Sequence, residues 1–313
     1  MKVYLDNAAT TSLDKEVLNE MLPYMTDHFG NPSSIHSHGR KTRAAIEAAR
    51  KSVAKLLNAS PSEIFFTSGG TEADNMAIRC SIEDMGITHA ITTKIEHHAV
   101  LHTLETLEGK GLIKLSFVNL LPDGQTDLKH LEQLLQENER SLVSLMHANN
   151  ELGNLLPIKE VGDICKKYNA LFHSDTVQTM GHYAIDLKAI NVHFITCGML
   201  YINGGIKINP LIYGGAQERN MRGGTENLYA IVGLAKALEF ALRDRDQHQK
   251  HITEIKEYMT NQLVEAIPGV GFNGSKTNSL YTVLNVRFPK TENAEMLLFS
   301  LDIAGISASG GSA

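Results

Sequence analysis

The sequence has few cysteines and no long apolar run, and each absence narrows the class of protein. Its three cysteines among 313 residues, Cys80, Cys165 and Cys197, are odd in number and widely spaced, which predicts a reducing, cytoplasmic compartment. No stretch approaches the roughly 20 apolar residues of a membrane span. The 29 Lys and Arg against 35 Asp and Glu give a net charge of −6, which predicts no nucleic-acid partner. The opening MKVYLDNAATT predicts a strand rather than a signal peptide.

Strand-like and helix-like segments alternate over most of the chain. Strands are predicted at 62–68, 89–95, 113–120, 140–148 and 170–176, with helical patterns between them. This alternation predicts an α/β fold whose mostly parallel sheet carries helices on both faces. Ligands of such folds gather at the carboxyl ends of the strands. The residues at those ends are therefore the candidates for a site.

The pattern changes in the last part of the chain. Its predicted elements are a helix at 226–266 that is interrupted near Asp244–His248, a strand at 280–289 and a helix at 293–302. We predict a large domain of residues 12–245 and a small domain formed by residues 1–11 and 246–313. The Gly/Ser-rich end and the small core that these elements can form indicate that the small domain is incomplete.

Two strand ends offer groups that suit a flat, phosphorylated ligand. TSGGTEADN places Gly70 and Thr71 at a helix start, where free backbone N–H groups suit a phosphate, although ordinary helix capping explains the same residues. KIEHHAV places His97 and His98 just past a strand. A solvated or core histidine is the ordinary interpretation, a ring lying on a planar ligand is the specific one, and a zinc pair lacks a third ligand at suitable spacing.

Two further strand ends carry Asn150 and, in HSDTVQ, Asp175 and Gln178. Asn pairs usually belong to turns, but a carboxylate at the end of an interior strand is costly unless a cation meets it. The pyridinium nitrogen of pyridoxal 5'-phosphate (PLP) is such a cation; an Asp that caps the next helix is the alternative. Farther along, GGAQERNMRGGTEN brings Thr225 before a helix, either as an ordinary cap or as a second anion-binding helix start.

Seven motifs together carry a resemblance to a known family. They are YLDNAATT, FGNPSSIHSHGR, FTSGGTEADN, EHHAV, MHANNELG, HSDTVQ and ERNMRGGTEN. In this order they resemble the cysteine desulfurases of iron–sulfur cluster assembly, which are PLP-dependent members of the class V aminotransferase family. Each motif alone is modest support, whereas seven in register are highly specific.

The resemblance implies a fold and a set of cofactor-binding residues. The fold is that of the PLP-dependent transferases (fold type I), in a homodimer. By this resemblance, Gly70 and Thr71 bind the phosphate, His97 stacks on the pyridine ring and Asp175 pairs with the ring nitrogen. Gln178 donates a hydrogen bond to the phenolic oxygen, and Asn150 lies near that oxygen and the substrate carboxylate. Thr225 contacts the phosphate of the neighbouring subunit's cofactor. No metal is implied.

The resemblance also implies a reaction. L-cysteine is converted to L-alanine, and the sulfur is left as a persulfide on a cysteine of the enzyme. A sulfur-acceptor or scaffold protein then receives it for iron–sulfur cluster or thio-modification pathways. A selenocysteine lyase-type enzyme is an alternative within the same family.

Two residues of that reaction have no counterpart in the chain. The family's Schiff-base lysine lies between strands that match HFITC and GMLYING, yet here Gly198 directly follows Cys197. The nucleophilic cysteine matches the position after Ala313. Lys188 and Lys207 lie on connecting segments and are poor substitutes for the lysine. Cys197 is the thiol expected nearest the site, although buried cysteines are mostly inert.

Two explanations stay open. Either two active-site loops are omitted from the chain, which we favour because loops are the mobile parts of such sites, or the protein lacks them and is an inactive scaffold that binds a partner. A true deletion is expected to break the sheet connection, because parallel strands need a crossover of a dozen or more residues. Without the lysine, we expect PLP to be absent from a structure of this chain.

Overall fold

The computed structural model of the protein describes residues 2–290 and 294–311. Eleven strands are present among these residues: β1 (Val3–Tyr4), β2 (Ile64–Phe66), β3 (His89–Thr92), β4 (Lys114–Phe117), β5 (Ser141–Ser144), β6 (Leu171–Asp175), β7 (Phe194–Thr196), β8 (Met199–Ile202), β9 (Gly271–Phe272), β10 (Val286–Arg287) and β11 (Ile306–Ser307). The eight α-helices described are α1 (Lys15–Thr26), α2 (Ser37–Leu56), α3 (Gly70–Met85), α4 (His98–Gly109), α5 (Leu128–Glu137), α6 (Ile158–Lys167), α7 (Leu228–Ala266) and α8 (Leu297–Ile303).

A seven-stranded sheet forms the centre of the molecule, in the order β2-β8-β7-β6-β5-β3-β4. Five neighbouring strands, β4, β3, β5, β6 and β7, run parallel to one another. Strand β8 runs antiparallel to both β7 and β2. The predicted α/β class with a mostly parallel sheet is confirmed. All five alternating strands expected between residues 62 and 176 are present, each shorter than the apolar run that predicted it.

Hydrophobic side chains on the strands alternate between two cores. Phe65 packs with α3 and α4, whereas its neighbours Ile64 and Phe66 pack with α2, α5, α6 and α7. This is the two-residue period of a strand whose faces are both covered. In α5, Leu131 and Leu135 lie one turn apart and are both buried. Helices therefore cover both faces, as predicted.

Cys197 and Gly198 form the turn of a hairpin between β7 and β8. Thr196 lies opposite Leu200, and the Cys197 N–H donates to the Met199 carbonyl oxygen at 2.9 Å. The expectation that a direct junction breaks the sheet connection is wrong. It assumed parallel strands, whereas β8 is antiparallel to β7, and antiparallel neighbours need only a tight turn.

The long helix α7 corrects a second expectation. It runs unbroken from Leu228 to Ala266, through the interruption predicted at Asp244–His248 and past the predicted domain boundary at residue 245. That segment contains neither Gly nor Pro, and side-chain pairing of Arg243 with Asp244 stays compatible with the helix. The buried residues of α7 fall between Leu228 and Leu238, where the helix packs against α1 and α2.

The last part of the chain forms two small two-stranded sheets. β1 pairs with β11 in parallel, and β9 pairs with β10 in antiparallel orientation. The strand predicted at 280–289 is reduced to Val286–Arg287, because Leu280 is buried and its N–H donates to the Gly153 carbonyl oxygen instead. The β1–β11 pair brings the chain start to residues 306–307, as the predicted grouping of 1–11 with 246–313 requires; that domain division stays a prediction.

The helix predicted at 293–302 is largely present. A short 3-10 turn at Ala294–Met296 leads into α8, and residue 293 lies outside the described residues, as do the last two of the C-terminal GISASGGSA. No helix among residues 2–290 and 294–311 has both the length and the apolar character needed to cross a bilayer.

Candidate active site

The turn between β2 and α3 presents an uncapped helix start. α3 begins at Gly70 with Gly69 as its N-cap, and no side chain caps it. A Cβ atom on Gly70 would lie 3.1 Å from Val177 Cγ2 and 3.3 Å from the Cys197 carbonyl oxygen. Only glycine fits this close approach without displacement. The N–H groups at the start of α3 are therefore placed at the strand ends, where an anion can accept from them.

Asp175 ends β6 and is 6% exposed. One of its carboxylate oxygens accepts from the Val177 N–H at 2.9 Å. Burial, together with the negative charge of Asp74, raises the pKa of the Asp175 carboxyl well above its usual range. A carboxyl group in this state favours a cationic partner, because an opposite charge offsets the desolvation of the ionised form.

His97 lies over this carboxyl group from the other side of β5. It is the N-cap of α4, and its Nδ1 accepts from the Ala99 N–H at 3.2 Å. That bond assigns the proton of the neutral ring to Nε2. A ring nitrogen of His97 and oxygens of Asp175 and Asp74 all lie within 4.8 Å of one another. The neighbouring His98 ring stacks on His102 at 4.6 Å and is not part of this group.

Gln178, Asn150 and Thr225 lie on three separate loops. Gln178 is half-buried, and its Nε2 donates to the Ala8 carbonyl oxygen at 3.0 Å, so the YLDNAATT segment reaches the site. Asn150 is half-buried in the loop after β5, and Thr225 is exposed before α7. The Thr225 loop is held near α3 by Arg222, whose Nε lies 3.0 Å from a carboxylate oxygen of Glu72.

Sequence reasoning missed Asp74 as a site residue. It is 1% exposed, accepts from the Thr196 hydroxyl, and lies 3.4 Å from His173 Nε2. The signal was available: Asp74 follows Gly70 by four residues, so both lie on one face of α3.

Glu96 was also missed, although it precedes His97 directly. It is 6% exposed, and burial raises the pKa of its carboxyl group to about 8. Three buried carboxyl groups thus meet at this sheet edge, while the buried guanidinium of Arg50 pairs with Glu218 elsewhere, at 2.8 Å. The geometry of Asp74, His97 and Asp175 also suits a divalent cation.

The three thiols, Lys188 and Lys207 do not complete the site. Cys197 is buried at the hairpin, and burial followed by the charges of Asp175 and Asp74 raises the pKa of its thiol to about 12. Burial likewise raises the thiol pKa values of Cys80 and Cys165 to about 12. Lys188 lines a cavity at the opposite end of the strands, and Lys207 is exposed beyond β8. Both placements agree with the expectation that these residues are poor substitutes for the Schiff-base lysine.

PLP fits the groups that are present. The uncapped start of α3 suits its phosphate, the buried Asp175 lacks the cation that a pyridinium nitrogen supplies, and His97 lies beside that carboxyl group where a ring face can contact it. A bare metal ion explains the acidic groups but leaves the anion-binding helix start unused.

The chain belongs to the class-V aminotransferase family, whose profile matches residues 3–313. It is 42% identical to the cysteine desulfurase IscS of Dictyoglomus turgidum over 326 positions, covering 100% of this chain and 82% of that protein. It is 44% identical to the cysteine desulfurase IscS of Methanosarcina thermophila, covering 99% and 79%. A solved NifS-like protein superposes with a TM-score of 0.93 at 38% identity, covering 98% of this chain and 87% of that one.

These relatives confirm the resemblance on which the site assignment rests, and the fold type I architecture with it. The chain is shorter than its relatives. The 326 aligned positions of the D. turgidum protein exceed the 313 residues of this chain by 13, so that protein has residues with no counterpart here. This agrees with the missing lysine segment at Cys197–Gly198.

Proposed function

We propose that this protein is a PLP-dependent cysteine desulfurase, which converts L-cysteine to L-alanine and passes on the sulfur. Full-length relatives that bear this name support the proposal. The main support is the placement of His97 beside the buried Asp175, whose carboxyl group favours a cationic partner, at the strand ends where α3 begins without a side-chain cap. One PLP molecule can contact His97, Asp175 and the start of α3 together.

Four residues would hold the cofactor at the strand ends. PLP, when bound, withdraws electrons from the amino acid joined to it. Asp175 holds a proton on the pyridine nitrogen, and the N–H groups of Gly70 and Thr71 donate to the phosphate. His97 would contact the ring face, and its Nε2 is the ring nitrogen that the Ala99 N–H leaves available. Because Nδ1 is engaged by Ala99, the ring cannot turn freely.

The remaining assignments concern the rim of the site. Gln178 donates to the phenolic oxygen after release from Ala8, and Asn150 contacts the substrate carboxylate. Thr225 reaches the phosphate of a partner subunit's cofactor in a homodimer. A cytoplasmic location and transfer of sulfur to an acceptor protein complete the proposal. No residue at Cys197–Gly198 replaces the family's lysine, and the buried thiols are poor sulfur acceptors, since only the thiolate is nucleophilic.

A second candidate is a desulfurase-like protein that binds its cofactor or a partner protein without turnover. The continuous β7–β8 hairpin favours it, because the sheet closes over the position where the lysine segment belongs. A selenocysteine lyase-type enzyme is the alternative within the family, and a persulfide assay that compares cysteine with selenocysteine separates the two.

The deciding experiment is alanine formation by the purified protein with PLP, L-cysteine and a thiol reductant. We expect alanine from the wild-type protein and none from Asp175→Ala. A wild-type protein that binds PLP and forms no alanine would establish the second candidate instead.

The mass of the intact protein tests how the missing lysine bears on function. A mass of 34.4 kDa, unchanged after PLP and borohydride, indicates that no lysine of the chain forms a Schiff base with PLP. A larger starting mass that increases further on this treatment indicates that the purified protein has the lysine segment.

A further inference from the structure

Glu96 is a buried carboxyl group whose hydrogen bonds link two loops of the site. Both of its oxygens accept from the Met146 N–H, at 2.9 and 3.1 Å. The Thr93 hydroxyl donates to one of them at 3.2 Å. The contact from Thr93 closes the turn after β3, and the contacts from Met146 join that turn to the end of β5.

The end of β5 is in turn joined to Asp175. The N–H of His147, the residue after Met146, donates to the Asp175 carbonyl oxygen at 2.8 Å. β3, which leads into the His97 turn, and β6, which ends in Asp175, are not neighbours in the sheet, and β5 lies between them. The contacts from Glu96 through Met146 and His147 therefore connect the turn that carries His97 to the backbone of Asp175 across the intervening strand.

We propose that Glu96 is a positioning residue for the cofactor site: its carboxyl group anchors the His97 turn to the end of β5 and so fixes His97 against Asp175. This inference rests on the proposed function for its meaning, but its geometry does not need a bound ligand. A second contact supports the same turn, because Asn149 Nδ2 donates to the Ile95 carbonyl oxygen at 2.8 Å.

Glu96 acts here as an acceptor, since the Met146 N–H and the Thr93 hydroxyl both donate to it. An isosteric amide keeps an oxygen in this position and should replace it.

Four variants test this role: Glu96→Ala, Glu96→Gln, Thr93→Val and, as a matched control, Glu105→Ala on the exposed face of α4. PLP affinity is measured by titration, and the position of the His97 ring is followed by its imidazole NMR signals in the protein without PLP. Because Glu96→Ala leaves the buried Met146 N–H without its acceptor, which costs about 1–3 kcal/mol, the variant is expected to weaken PLP binding by about fivefold to hundredfold. It should also shift or broaden the His97 signals.

Glu96→Gln should restore both readouts, since its amide oxygen still accepts from Met146, and Glu105→Ala should match the wild type. If Glu96→Ala does not fold, Thr93→Val carries the test, because it removes one hydrogen bond and must move the His97 signals in the same direction. Unchanged His97 signals in a folded Glu96→Ala or, failing that, in Thr93→Val overturn the proposal. So does a Glu96→Gln variant as impaired as Glu96→Ala. A wild-type protein that fails to bind PLP refutes the proposed function, while the NMR comparison still decides the role of Glu96.

Discussion

At the scale of single residues, the site is defined by three buried carboxyl groups. Asp74, Asp175 and Glu96 are each at most 6% exposed, and strongly perturbed acidic groups cluster at functional sites. For Asp175 and Glu96, burial raises the pKa and so favours the protonated form.

This predicts how stability depends on pH. The pKa of Glu96 rises from 4.5 to about 8 in the folded protein, and that of Asp175 rises as well. The folded state thus binds protons more tightly than the unfolded state, so this contribution is full below about pH 4.5 and is lost as the pH rises through about 8. Thermal unfolding without PLP should show a decline over this range that is smaller in Asp175→Asn and Glu96→Gln.

The comparison must be made between variants rather than on the wild type alone. Burial lowers the pKa values of His89 and His147 to about 4, and these groups act with the opposite sign, since their contribution is lost as the pH falls below about 6.5. Identical slopes in the wild type and both variants would contradict the assignment of the decline to these carboxyl groups.

Sequence and structure agree at residues whose role depends on their position at a strand end. The placement of Asp175 and His97 near one another was predicted because strand ends converge at one edge of a parallel sheet; their roles stay a prediction. Asp74 was overlooked, although its spacing of four residues from Gly70 puts both on one face of α3. Glu96 was not predicted, because its importance arises from burial against other elements, which no local pattern in EHHAV reveals.

At the scale of elements, the approach of α3 to the ends of β6 and β7 places the anion-binding helix start. Gly70→Ala would bring a methyl group to 3.1 Å from Val177 and 3.3 Å from the Cys197 carbonyl oxygen. We expect this to displace the turn and weaken PLP binding by about tenfold, the cost of a strained or lost phosphate contact. Gly109→Ala, where a methyl group meets nothing within 4 Å, is the control; equal affinities in the two variants would contradict this view of the turn.

The loop before α7 has a strained backbone that side-chain hydrogen bonds hold in place. Glu218, Arg219 and Asn220 are consecutive non-glycine residues with φ of 44°, 57° and 66°, a left-handed stretch that costs roughly 1–2 kcal/mol per residue. Glu218 holds it in place, because its carboxylate accepts from Arg50 and from the Phe66 N–H at 2.8–2.9 Å.

Removing one partner of that buried pair should be severe. Glu218→Ala removes the buried partner of the Arg50 guanidinium and leaves it only the half-exposed Glu47, at 3.1 Å, which is expected to cost about 3 kcal/mol of unfolding free energy, the lower end of the range for a broken buried pair. Asp246→Ala breaks an exposed pair with Arg245 and should change little. Urea unfolding of both variants measures the difference; a loss below about 1 kcal/mol for Glu218→Ala would mean that the strained loop relaxes when released.

Elements that depend on long-range pairing were the hardest to predict. The alternating strands and helices between residues 62 and 176 follow from periodicity, and the structure has all of them. The direction of β8 does not follow from periodicity, because an apolar run does not show which strand it pairs with. The continuity of α7 does not follow either, because a polar stretch without Gly or Pro gives no signal of where a helix ends. Leu280 was assigned to a strand for the same reason.

At the scale of the whole molecule, we expect the loop before α7 to form part of the interface of the proposed homodimer. Tyr213, at the start of this loop, is 80% exposed, an unusual state for a large aromatic side chain. Thr225 lies at the other end of the same loop, and the proposed function brings it to a partner subunit.

We therefore expect sedimentation to give twice the chain mass of 34.4 kDa. Tyr213→Ser should shift the equilibrium toward the monomer, because an aromatic anchor at an interface typically contributes about 2 kcal/mol or more. Tyr258→Ser, at a side chain on α7 that is 69% exposed, is the matched control. Loss of the dimer in both variants, or in neither, would count against this loop as an interface.

The unbroken course of α7 has a mechanical consequence. A helix of 39 residues is about 58 Å long. Its buried side chains lie between Leu228 and Leu238, and toward its other end Lys256 donates to the Leu280 carbonyl oxygen at 2.7 Å. An unbroken helix joins these two regions stiffly, so we expect any relative motion of the predicted large and small domains to pivot at an end of the helix, at Asn227 or Ile267, where a small rotation becomes a large displacement at the opposite end.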